Sequence, residues 1–87
     1  MSADARLAEL GITLPDPFPP AGEYINAVRT GGLLILGGHI PFNPPQTIVF
    51  GKLGADLDVD AGREAARFAA ITALATIRSE LGTLDAV

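Results

Sequence analysis

The amino-acid sequence predicts an α+β domain: a short amino-terminal helix, three short antiparallel strands, and one long helix packed on the sheet. Three observations carry that expectation. All seven prolines fall within the first 45 residues, so the chain divides into an extended first half and a helical second half. The apolar runs of the first half are broken by turn residues at Thr30-Gly31-Gly32 and Asn43-Pro44-Pro45-Gln46. From Phe68 onward the apolar side chains instead recur at spacings of three and four, the period of a helix with one buried face.

Ser2 is placed to cap a helix over Ala3–Leu10, with Leu7 and Leu10 on one face and Gly11 as its stop. Pro15-Asp16-Pro17-Phe18-Pro19-Pro20 then forbids helix and reads as a stiff extended lead-in, too short for a convincing proline-module ligand. Tyr24 to Arg29 reads as the first strand, with Tyr24, Asn26 and Val28 sharing a face. Thr30-Gly31-Gly32 makes the hairpin turn, because glycine tolerates the positive φ a tight turn needs. Leu33-Leu34-Ile35-Leu36 begins a second strand that reads as buried on both faces, and Thr47-Ile48-Val49-Phe50 a third. Asp58 is the N-cap of a helix running to about Leu81, with Asp60 in its first turn and Gly82 as its stop. Phe68, Ile71, Leu74, Ile77 and Leu81 form its stripe, widened by small alanines. Val87 stands where a strand is expected to return along the helix.

The organisation is one domain, 1–87, expected to be truncated. It comprises helix and proline-rich lead-in (1–22), strands and turns (23–57) and long helix (58–82). Its 87 residues include 48% apolar and 18% charged side chains, too apolar for a disordered chain. With six basic residues scattered among ten acidic ones and a net charge of -4, there is no footprint for nucleic acid or anionic lipid. The absence of cysteine removes disulfides, thiolate metal sites and thiol nucleophiles. The first residues lack a signal-peptide pattern, and no apolar stretch approaches the ~20 residues of a membrane helix. A cytoplasmic protein without cofactor or metal is the expectation. At this size a single core supplies roughly 3–5 kcal/mol, so oligomerisation is the remaining source of stability.

Few residues can carry chemistry. Gly37-Gly38-His39 ends the second strand, where free backbone N–H groups could receive a carboxylate; the competing reading is a bulge or a close packing site. His39 is the sole imidazole, a type whose ordinary pKa near 6.5 suits proton transfer, but a single histidine is more often structural. Tyr24 offers a phenol for orienting a small substrate, or simply packs. Arg29 could pair with a carboxylate. Asp56, Asp58 and Asp60 alternate without the spacing of a calcium loop and read as caps.

Taken in order, several stretches resemble the start of the Rid/YjgF family. They are Gly22-Glu23-Tyr24, Ala27-Val28-Arg29-Thr30-Gly31-Gly32-Leu33-Leu34 and Gly37-Gly38-His39-Ile40-Pro41. Arg6 to Ile12, Gly51 to Leu57 and Gly62 to Arg67 are similar to one bacterial subgroup of it. Members of this family are reactive intermediate deaminases, often labelled endoribonuclease L-PSP. The resemblance implies a chorismate-mutase-like α+β fold, a homotrimer, and ligand sites in clefts between subunits. It also implies hydrolysis of enamines and imines to a 2-keto acid and ammonia. Tyr24 matches the cleft tyrosine, Gly37 stands where the archetype has serine, Gly38 matches the following glycine, and His39 replaces a glutamine. The family's carboxylate-binding arginine and water-activating acid fall beyond Val87, so no catalytic residue is assigned here. The ligand-binding set is Tyr24, Gly37, Gly38 and His39, and the expected partner is a small carboxylate-bearing metabolite. Two alternatives stand beside the deaminase: a non-catalytic, metabolite-binding trimer, and a fragment without function.

Overall fold

A computed structural model describes residues 2–17, 19, 22–23, 25–41 and 49–87. Helix α1 spans Ala3–Glu9, and the Ser2 side chain accepts from the Ala5 N–H as its cap. Strands β1 (Ala27–Thr30) and β2 (Leu33–Leu36) form an antiparallel hairpin in which Val28 faces Ile35 and Arg29 faces Leu34. The turn between them holds Gly31 at φ 56°, a left-handed conformation that glycine reaches without steric cost. Helix α2 spans Val59–Leu81. The Asp58 carboxylate accepts from the Ala61 N–H at 2.8 Å, and Gly82 leaves the helix at φ 81° with its N–H donating to the Arg78 carbonyl. Both ends of α2 therefore stop by local side-chain and backbone chemistry.

The described core is small. Leu14, Ala75 and Leu84 are its buried members, with Leu7, Ile12, Ile71, Leu74 and Ile77 packed around them. The lead-in thus contributes Leu14, and both ends of the described chain meet over α2. Asp4 fastens them, since its carboxylate accepts from the Thr83 hydroxyl and the Leu84 N–H while the Asp4 N–H donates to Asp85.

Two expectations, on the faces of β2 and of α2, are corrected, and the expected third strand lies only partly among the described residues. Among the described residues the sheet has two strands. Thr47 and Ile48 lie outside the described residues, and Val49 and Phe50 carry no strand pairing, although the Val49 N–H donates to the Pro41 carbonyl at 2.9 Å. Strand β2 is half-buried on one face only: Leu34 and Leu36 turn toward the molecule while Leu33 and Ile35 stay exposed, because a single helical layer covers one side of the hairpin. The most buried face of α2 is not the large-residue stripe but Thr72, Ala75 and Thr76, since small side chains allow the helix its closest approach to its neighbours. Residues Leu84–Ala86, ahead of the point where a strand was expected to return, form a 3-10 turn that draws Leu84 into the core.

Candidate functional site

The hairpin ladder runs one step past β2. The Gly37 N–H donates to the Asn26 carbonyl at 2.8 Å, so the amide of the first glycine is already used. The Gly37 carbonyl in turn accepts from His39, with Nδ1 at 2.9 Å. A carbonyl can only accept, so Nδ1 carries the proton, and in the neutral ring Nε2 is left as an acceptor. The group 2.8 Å from Nε2 is the Thr76 hydroxyl, which donates to it. Four residues earlier on the same helical face, the Thr72 hydroxyl lies 3.1 Å from the Ile40 carbonyl and 2.8 Å from the Ala69 carbonyl of its own helix.

The segment Gly37–Ile40 is therefore pinned to α2 at two places. Thr72 and Thr76 are 1% and 2% exposed, and a buried hydroxyl without a partner would cost about 1–3 kcal/mol. The strand end engages both, and Thr72 is shared with the Ala69 carbonyl of its own helix. Sequence reasoning passed over this pair, although two threonines spaced by four within an alanine-rich apolar face were the signal for it.

What remains is the backbone between the pins. Among the described residues, the Gly38 and His39 N–H groups have no acceptor. Gly38 is exposed, its φ is not left-handed, and a Cβ built there meets no atom within 4 Å. Neither backbone strain nor packing within the described chain demands glycine at 38. Successive unpaired N–H groups at a strand end suit a carboxylate.

The other candidates fall elsewhere. Tyr24 lies outside the described residues. The acidic trio is structural: Asp56 accepts from the Lys52 N–H at 3.0 Å, Asp58 caps α2, and Asp60 sits 3.7 Å from Arg63 on the exposed surface. Among the described residues no group of three metal-ligating side chains gathers, and no helix is long and apolar enough to cross a membrane. Arg29 forms no ion pair among the described residues. It borders a cavity of about 420 Å³ between the inner hairpin face and the end of α2, walled by Leu34, Leu36, Ile77 and Leu81.

No family model matches the sequence. It is 39% identical over 83 residues to "Protein TCP17" of Trypanosoma cruzi, covering 95% of this chain and 52% of that protein. A crystal structure of a candidate endoribonuclease from Shewanella oneidensis superposes with a TM-score of 0.90 at 30% identity, covering 97% of this chain and 56% of that one. A protein of unknown function from Agrobacterium tumefaciens gives a TM-score of 0.76 at 34% identity, over 93% of this chain and 48% of that one. The chain thus spans about half the length of the proteins it matches.

Proposed function

We propose that the chain is a Rid/YjgF-type domain portion that supplies the carboxylate-holding part of an imine or enamine hydrolase site, a reading supported by its superposition on a candidate endoribonuclease over 97% of its length. The observation that carries this reading is the pair of amides at Gly38 and His39, without partners among the described residues and held between two pins on α2. In the reaction, water adds across C=N to give a carbinolamine, whose collapse to the 2-keto acid expels ammonia. The amides hold the substrate's carboxylate while the reacting carbon is presented to water. The resemblance implies that the groups that activate that water lie outside the matched span, and the role proposed for this chain is to hold the carboxylate.

The oligomer is part of the same proposal. Val28, Leu33 and Ile35 lie on the hairpin face turned away from α2 and are 49%, 66% and 54% exposed. A contiguous apolar sheet face of this kind is covered by further copies of the chain, in a homotrimer whose clefts contain the Gly38 end of the hairpin.

Binding without turnover is the second reading, favoured by one observation. Both ring nitrogens of His39 are engaged, one by Gly37 and one by Thr76, so neither is free for proton transfer.

The test is ligand-linked stability. A 2-keto acid at a hundredfold excess over its Kd stabilises its binding protein by about 2.7 kcal/mol. Gly38→Val, whose Cβ meets no described atom within 4 Å, is expected to abolish that gain, while Asp58→Ala weakens the helix cap and leaves it intact. Equal ligand-dependent shifts in wild type and Gly38→Val would remove the site from this loop.

A further inference from the structure

Thr76 has no direct part in the carboxylate site, yet it is one of the two most buried side chains of the described protein. Threonines in helices ordinarily return their hydroxyl hydrogen to a carbonyl three or four residues back. Thr72 does so, dividing one hydrogen between Ala69 at 2.8 Å and Ile40 at 3.1 Å, which makes it the weaker pin. Thr76 has no such bond among the described residues, so its hydrogen is committed to His39 Nε2. The imidazole passes that constraint on through Nδ1–H to the Gly37 carbonyl, and the Gly37 N–H is tied to Asn26. A continuous hydrogen-bonded path therefore runs from the interior of α2, through the ring, to the end of the β1–β2 ladder. Among the described residues, the backbone donors it leaves unengaged along 37–39 are those of Gly38 and His39.

We propose that Thr76 is a positioning residue which, acting through the Nδ1–H form of His39, fixes the Gly37–His39 backbone in the conformation that presents the Gly38 and His39 amides. The link from this clamp to ligand affinity rests on the carboxylate site proposed above; the clamp itself does not. The arrangement selects the less common neutral form of the ring, since a free imidazole side chain favours the proton on Nε2. That preference makes the clamp visible without any substitution.

The experiment uses the full chain labelled with nitrogen-15, with His39 ring nitrogens followed on the alkaline plateau of their titration and 2-oxobutyrate as the ligand probe. In the wild type, Nδ1 is expected to be protonated and Nε2 to be the bare acceptor. Thr76→Val keeps the branched shape and removes the hydroxyl. It is expected to return the ring toward the Nε2–H form, shift the Gly38 and His39 amides, and weaken 2-oxobutyrate about tenfold, the effect of one positioning hydrogen bond. Thr76→Ser restores all three. An Nε2–H ring in the wild type overturns the clamp, whether or not Thr76→Val folds. So does a Thr76→Val protein with unchanged ring nitrogens. A changed ring with unchanged affinity overturns the positioning role. A wild type with the Nδ1–H ring and no 2-oxobutyrate binding leaves the clamp standing and refutes the carboxylate site.

Discussion

His39 and Thr76, 37 residues apart in the chain, meet at 2.8 Å between imidazole Nε2 and hydroxyl Oγ1. That contact joins the only histidine to the most buried face of the long helix. It places the end of the hairpin on α2 by a directional bond, where apolar packing alone would let the strand end slide. The candidate site is thus a consequence of how a helix with small side chains receives a glycine-rich strand end.

Thr72→Val is expected to destabilise the protein by about 1–2 kcal/mol, because the Ile40 carbonyl loses its donor while the shape is kept. Thr72→Ala should cost more, since it also deletes a methyl group from a side chain only 1% exposed. Denaturant unfolding of the two variants checks the order. An alanine variant as stable as wild type would mean the hydroxyl and methyl contribute nothing.

The two ends of α2 give a contrasting pair. Gly82→Ala places a side chain at φ 81° and is expected to cost about 1 kcal/mol or more. Gly62→Ala gains about 1 kcal/mol of helix propensity, offset by displacing the 60% exposed Leu53 side chain, whose Cδ2 overlaps the added methyl and whose Cγ lies 3.3 Å from it. Melting temperatures should move in opposite directions. Destabilisation by Gly62→Ala would show that Leu53 is held where it stands.

The hairpin and both helices were legible in the sequence because their signals are local. Ser2, Asp58 and Gly82 act on backbone groups within one turn of themselves, and Gly31-Gly32 sets its own turn. The faces were not legible to the same degree. Leu33 and Ile35 have the composition of a doubly buried strand, and only the packing shows that one face is left open. The threonine pair was missed because period-based reading weights large side chains, whereas closest approach belongs to the small ones. His39 stood out as a lone imidazole, but its partners come from Gly37 and from Thr76 on a distant helix, and no spacing rule connects them. Gly37 entered the site as a donor, and the structure spends its N–H on Asn26.

Self-association should depend on the open hairpin face. The purified chain is expected to sediment as an oligomer at micromolar concentration. Ile35→Lys, which alters an exposed side chain, should shift it toward smaller species without loss of helix signal. A wild-type chain that sediments as a cooperative, soluble monomer would contradict the proposed assembly.

Hydrolysis of 2-iminopropionate should not be accelerated by the 87-residue chain, because His39 is engaged at both nitrogens. Ammonia release in the presence and absence of protein measures this. Turnover abolished by His39→Ala would move the chemistry into this chain.

The most direct measurement is an amide titration of the nitrogen-15-labelled protein with 2-oxobutyrate. The Gly38 and His39 amide resonances are expected to shift together and saturably, the Gly37 amide, bonded to Asn26, to shift least of the three, and Gly38→Val to eliminate the response. Saturable shifts confined to other residues, with Gly38 and His39 unmoved, would contradict it.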